Sequence, residues 1–122
     1  MKYTYTLLIF SLLLIGGCAT TVSESGLFWG NYSKTLYEYK KNPSPENLAK
    51  HKNELQTILS KSKEMRLRPP PGIQAELGAI YMNEKDQKTA TNYFSLEAET
   101  YPESKILITR LMDIVSGKKE KK

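Results

Sequence analysis

Residues 71–102 read PGIQAELGAIYMNEKDQKTATNYFSLEAETYP, and the fold is decided there. Apolar side chains recur at helical spacing in both halves of the stretch. They are Ile73, Leu77, Ile80 and Tyr81, then Ala90, Tyr93, Phe94 and Ala98. The spacing predicts helices over Pro71–Asn83 and Gln87–Thr100, joined by the polar turn Glu84-Lys85-Asp86. Small residues stand where two antiparallel helices would approach closely, Gly78 on the first and Ala90 on the second. Tyr81 and Phe94 supply bulk to fill the space between that pair and its neighbours. Pro102, which cannot continue a helix, ends the second one.

In a 34-residue frame begun at Pro71, six residues fall into fixed register: Leu77, Gly78, Tyr81, Ala90, Phe94 and Pro102. Their order and spacing resemble the tetratricopeptide repeat (TPR), which implies a helical hairpin that buries its faces on neighbouring hairpins. Two positions depart from that pattern. Gln74 replaces a large aromatic, and Glu97 replaces a small residue, with Ala98 one place late. Lys85 stands where the turn often has glycine. One frame further back there is no second clean match, so the preceding pair of helices is at best a degenerate repeat.

That preceding pair starts after Gly26. Phe28, Tyr32, Leu36 and Tyr39 form one stripe on a first helix, which stops near Lys41-Asn42-Pro43 because a residue before proline is pushed out of helical geometry. Ser44-Pro45-Glu46 then reads as a helix start, with Ser as cap and Pro in the first turn. The second helix runs to about Met65 and buries Leu48, Leu55, Ile58 and Leu59, with His51 on or beside the stripe at its rim. Arg68-Pro69-Pro70-Pro71-Gly72 is a stiff spacer between the helix pairs. A fifth helix, Ser104–Val115, carries Ile106, Leu107, Leu111, Ile114 and Val115 and would cap the stack. The expected fold is all-α, with about five helices in TPR-like hairpins over residues 26–117. Helix one carries too many aromatics for one buried face. Trp29, Tyr32, Tyr37 and Tyr39 are therefore the candidate partner surface.

Ahead of this domain lies a leader, residues 1–17, with the apolar run Leu7–Ile15. Nine residues are too few to span a bilayer as a helix, and the length suits a secretory signal peptide. Ile15-Gly16-Gly17-Cys18 resembles the bacterial lipobox. That resemblance implies cleavage after Gly17 and a diacylglyceryl thioether on Cys18, often with further acylation such as palmitate. Two or three acyl chains hold a protein at a bilayer. Ala19 behind the cysteine resembles the sorting pattern for the outer membrane, which implies a lipid-anchored protein facing the periplasm. Residues 18–25 form a short polar tether, and Lys118–Lys122 form a basic tail.

The formal charge of +5 is unevenly placed. Between Cys18 and Gly117 there are 13 basic and 12 acidic residues, so the body is nearly neutral, which points away from nucleic acid. One cysteine and one histidine exclude disulfide frameworks, cysteine zinc sites and His-rich metal centres. No nucleophile elbow or glycine-rich phosphate loop occurs. Glu64, Glu76, Glu84, Asp86, Glu97 and Asp113 all fit exposed helix faces beside Lys or Arg. The chain is therefore expected to be no enzyme and to take no cofactor, metal or small-molecule substrate.

Across its mature length the chain resembles small bacterial lipoproteins of a domain-of-unknown-function family with a TPR-like fold. The likeness rests on Leu27-Phe28-Trp29-Gly30-Asn31-Tyr32-Ser33, Pro43-Ser44-Pro45, Pro70-Pro71-Gly72-Ile73-Gln74-Ala75-Glu76-Leu77-Gly78 and Tyr101-Pro102-Glu103-Ser104. Such proteins are typically encoded beside a lipoprotein resembling the curli secretion channel. The resemblance thus implies a component or adaptor of an outer-membrane lipoprotein assembly, with other envelope proteins as partners. A second expectation is an accessory factor for cell-wall synthesis or envelope maintenance, its basic tail touching anionic lipid or glycan.

Overall fold

The computed structural model describes residues 26–117. Cys18, the leader, the tether and the basic tail lie outside them. The described residues form five α-helices and no strand. These are α1 Tyr32–Lys41, α2 Pro45–Glu64, α3 Ile73–Asn83, α4 Gln87–Thr100 and α5 Lys105–Val115, with a single 3-10 turn at Pro102–Ser104 before α5. Each helix packs on the next in chain order, and the closest pairing is α3 with α4.

Helix ends follow local chemistry. Ser44 Oγ accepts the Asn47 N–H at 3.2 Å and caps α2, with Pro45 and Glu46 in its first turn as expected. Asp86 accepts the Thr89 N–H at 3.1 Å and caps α4. The first helix begins at Tyr32, later than the Phe28 stripe suggested. Gly30 sits at a positive φ of 49° and turns the chain just before it, so Phe28 packs from a loop rather than a helix. At their C-termini α2 and α3 close in the same way. Leu67 N–H reaches the Ser62 carbonyl and Asp86 N–H reaches that of Tyr81, which places Arg66 and Lys85 in left-handed conformation at φ 55° and 67°. The absent glycine at Lys85 thus does not prevent the turn. A lysine adopts the geometry at some cost.

The core has two lobes. Leu55, Ile58, Ile73, Leu77 and Ile80 form the first, between α2 and α3, with Phe28, Tyr32, Leu48, Leu59 and Tyr93 against it. Ala90, Phe94 and Ile108 form the second, between α4 and α5, with Met82, Ala98, Leu111 and Met112 against it. Tyr81 packs on both lobes and joins them. On α2 the buried side chains are His51, Leu55, Ile58 and Ser62, spaced four, three and four apart, so one straight stripe faces inward.

Between α3 and α4 the approach is set by Gly78. A Cβ built there would lie 2.6 Å from Cε1 of the Phe94 ring and 3.1 Å from the Ala90 carbonyl. Phe94 is fully buried and cannot swing aside.

One expectation for α5 is corrected. Its inward residues are Ile108, Leu111, Met112 and Val115, spaced three, one and three, whereas Ile106, Leu107 and Ile114 point outward. The helix offers more apolar surface than α4 alone can cover, and α4 takes the arc centred on Ile108.

Two substitutions test this packing by urea denaturation. Gly78→Ala gains up to about 1 kcal/mol of helix propensity but overpacks a site where repacking costs about 1–3 kcal/mol, so net stability falls, and falls further for Gly78→Val. Lys85→Gly relieves the left-handed turn and raises stability by about 0.5–1 kcal/mol.

Candidate functional site

The sequence-predicted residues separate into packing and surface groups. Leu77, Gly78, Ala90 and Phe94 are buried at the α3–α4 contact, and Tyr81 is half-buried at the junction of the two lobes. Pro102 lies exposed in the turn that follows α4. Of the helix-one aromatics, Tyr32 and Tyr39 are half-buried, while Trp29 keeps 41% of its surface exposed and Tyr37 65%. Tyr37 shares the outer side of α1 with Lys41, whose Nζ stands 5.9 Å from the ring centroid. Trp29 is held from behind by Tyr32, with ring centroids 5.5 Å apart and planes inclined at 60°. The four aromatics therefore do not form one patch. Tyr32 turns inward and supports Trp29.

Tyr32 also enters a polar cluster that links α1, α2 and α3. Its hydroxyl donates to Glu76 Oε2 at 2.9 Å, and His51 Nε2–H donates to Glu76 Oε1 at 2.9 Å. On the other side of the ring, His51 Nδ1 stands at hydrogen-bond distance from the Thr35 hydroxyl, 2.8 Å. The histidine is 1% exposed, deeper than the rim position expected for it. Its partners come from neighbouring helices, which spacing along α2 alone does not reveal. Hydroxyl, imidazole and carboxylate stand in series, the order of parts in a nucleophilic relay. The Thr35 hydroxyl, however, sits beside the carbonyl of Tyr32 at 3.2 Å, and the cluster lies within the packed interface of three helices. It holds those helices in register.

Two further carboxylates work as caps across helices. Asn31 and Gly72, the N-cap residues of α1 and α3, make no side-chain cap of their own. Glu54 of α2 accepts the Asn31 N–H at 2.7 Å, and Glu97 of α4 accepts the Gly72 N–H at 2.8 Å and the Ala75 N–H at 3.4 Å. Helix N-termini carry unpaired N–H donors and a positive dipole end, so a carboxylate there is held in place. The expectation that Glu76 and Glu97 occupy exposed faces is therefore overturned. Glu97 is 2% exposed and Glu76 is half-buried, because each receives donors from a neighbouring element. At the position where Glu97 departs from the repeat pattern, its side chain serves as the acceptor for the start of α3. Gln74, the other departure, is buried and accepts the Thr100 hydroxyl at 3.2 Å.

The proline segment is bound to the same end of α4. Tyr101 Oη–H donates to the Pro69 carbonyl at 2.6 Å, the Arg68 guanidinium lies 3.9 Å from the Tyr101 ring centroid and reaches the Thr100 carbonyl, and Pro70 is buried. The spacer is part of the fold rather than a free polyproline ligand.

An open groove of about 450 Å³ runs between α2 and α3, lined by Pro45, Leu48, Ala49, Lys52, Asn53, Gln56, Tyr81 and Glu84. Lys52 spans it, 2.6 Å from Glu84 and 3.9 Å from the Tyr81 ring centroid. Behind Tyr81 the Tyr93 ring stacks nearly parallel at 5.6 Å. None of the cluster residues Thr35, His51, Glu76 and Tyr32 lines the groove. Lys52 and Gln56 escaped the sequence reading, which took Glu84 only as an exposed carboxylate, because the three meet only when α2 and α3 pack. Among the described residues no cluster of His, Cys, Asp and Glu is placed to hold a metal ion, and no helix is long and apolar enough to cross a membrane.

Two outcomes test the buried polar groups. Glu97→Ala orphans two N–H donors and lowers unfolding free energy by about 1–3 kcal/mol, while Glu97→Gln, which keeps an acceptor, loses less. Burial, and then the hydrogen bond and charge of Glu76, push the Tyr32 phenol from 10.0 up to about 12. A raised folded-state pKa means that Tyr32's contribution is fully present below pH 10.0 and is lost as pH rises towards about 12. Denaturation series across that window will show a smaller loss for Tyr32→Phe than for the parent.

Comparison with known proteins adds the family and nothing beyond it. No curated protein and no solved structure matches the chain. Residues 27–111, running from just before Trp29 to the middle of α5, match the domain of unknown function DUF4810. The matched segment takes in the polar cluster, both cross-helix caps and the groove, and the chain belongs to the DUF4810 family.

Proposed function

We propose that this protein is a lipid-anchored, TPR-like protein–protein interaction module of the bacterial envelope, a component or adaptor of an outer-membrane lipoprotein assembly. The observation that carries this reading is Trp29. It is the only tryptophan of the chain, it is 41% exposed, and the Gly30 turn and the Tyr32 ring hold it in place. A large aromatic held rigid before binding loses little entropy on association, and tryptophan is among the residues that most often anchor interfaces.

The helical arrangement supports the same reading. Successive hairpins stack in chain order, and the Gly78–Phe94–Ala90 contact has the steric logic of the repeat it resembles. Histidine and the buried carboxylates hold helices together, in keeping with a binding protein rather than an enzyme. The lipobox-like Ile15-Gly16-Gly17-Cys18 supports anchoring, and the family resemblance makes a lipoprotein like the curli secretion channel the first partner to seek.

The test is crosslinking in native membranes from a photoreactive residue at position 29 or 37, read by mass spectrometry. A discrete adduct with one envelope protein is expected from position 29. Trp29→Ala will weaken the adduct formed from position 37 while the fold remains intact by circular dichroism. Diffuse labelling at background level from both positions contradicts the proposal.

A further inference from the structure

The outward side of α1 carries charge that the fold does not use. At 3.6 residues per turn, Lys40, Ser33, Tyr37, Lys41 and Lys34 follow one another within an arc of about 120°. All five are exposed, and the half-buried Tyr32, Thr35, Leu36 and Tyr39 lie on the opposite side of the helix. The three lysines have no ion-pair partner among the described residues. Tyr37, 65% exposed, stands in the middle of the arc with Lys41 Nζ 5.9 Å from its ring centroid. Glu38, the one acid of α1, is half-buried on the flank towards α2, within electrostatic reach of Lys50. Two acids of α2 that stand near α1 are engaged. Glu54 holds the Asn31 N–H at 2.7 Å, and Glu46 holds Lys50 at 2.8 Å. From Cys18 to Gly117 the chain is nearly balanced, so three lysines against one acid in α1 is a local segregation of charge.

We infer that the outer face of α1 receives an acidic surface of another envelope protein, whose carboxylates meet Lys34, Lys40 and Lys41 around Tyr37. The inference rests on the interaction-module reading and names the chemistry of the partner at that surface. Protein interfaces place aromatic residues at the centre and charged ones at a solvated rim, and a tyrosine ringed by lysines has that arrangement. Rim charges steer the encounter towards a partner of opposite sign and reject one of like sign. Three cations without an internal partner keep their full charge for that purpose. The same arc argues against a bilayer as the occupant. A helix that lies in the membrane interface needs an apolar face to bury, and between Lys40 and Lys34 this arc holds no aliphatic side chain.

The test is carbodiimide coupling in native membranes, on the full chain carrying a photoreactive residue at position 29, which leaves α1 intact. Carbodiimide joins a lysine amine to a carboxylate only where the two touch. A link is expected from Lys34, Lys40 or Lys41 to an Asp or Glu of the same protein that position 29 labels. Lys63 and Lys88, exposed on α2 and α4, give no such link. Lys34→Gln, Lys40→Gln and Lys41→Gln together are expected to lower the yield of the position-29 adduct about tenfold. Lys34→Arg, Lys40→Arg and Lys41→Arg together keep the charge and keep the yield. All three side chains are exposed, so circular dichroism of both triple variants matches the parent. A position-29 adduct as abundant with glutamine as with lysine leaves the interaction standing and overturns the acidic surface. Loss in the arginine variant equal to that in the glutamine variant overturns it as well. So does a link to a second copy of this chain, and so does flotation with phosphatidylglycerol vesicles that the glutamine variant loses, which marks lipid as the occupant. Absence of any adduct from position 29 counts against the interaction module itself. In that case the inference still requires the carbodiimide link from α1 to one other protein, and its absence overturns it.

Discussion

The Phe94 ring lies where a side chain on residue 78 would otherwise be, and the rest of the structure depends on that contact. It fixes the distance between α3 and α4, and with it the position of Tyr81, which faces both core lobes. The first lobe brings α2 against α3, and the second brings α5 against α4. A larger residue at 78 would separate the helices that hold both lobes. Glycine in a helix interior is normally unfavourable, so its presence there reflects the close approach of Phe94 and the Ala90 carbonyl.

The second organising device is electrostatic. Each hairpin begins with a helix that lacks a cap of its own, and each is closed by a carboxylate from the second helix of the same hairpin. Asn31 and Gly72 are 41 residues apart, and Glu54 and Glu97 are 43 apart. The two hairpins are thus built on one plan at a spacing longer than 34 residues, with the 20-residue α2 accounting for much of the difference. The Thr35–His51–Glu76–Tyr32 cluster then joins the first hairpin to the second through polar contacts, in addition to the Lys52–Glu84 pair across the groove and the aliphatic contacts of the first lobe.

Much of this was legible in residue order, because helix boundaries depend on neighbours. Ser44-Pro45, the turn Glu84-Lys85-Asp86 and the register of Gly78, Ala90 and Phe94 all act within one helix or one hairpin. What escaped the sequence depends on partners far along the chain. Glu97 stood out as a departure from the pattern, yet its role requires Gly72, 25 residues away. His51 carried no sign of Glu76, also 25 residues away, nor Glu54 of Asn31. The outward face of α5 was misread for a related reason. Its apolar residues cover more than one face, and periodicity alone cannot tell which arc the neighbouring helix will take.

The surface that remains is divided by chemistry: Trp29 and Tyr37 at the amino end, the Tyr81 groove between α2 and α3, and the apolar arc of α5. The first lobe ties α2, and through it α1, to the α3–α4 hairpin and the second lobe ties α5 to it, so native-state hydrogen exchange tests the central claim most directly. Amides in α3 and α4 are expected to exchange only through global unfolding, with an opening free energy equal to that from denaturation, while those of α1 and α5 open at lower free energy. Protection in α1 or α5 equal to or above that of α3 and α4 would show that the Gly78–Phe94 contact is not the foundation of the fold.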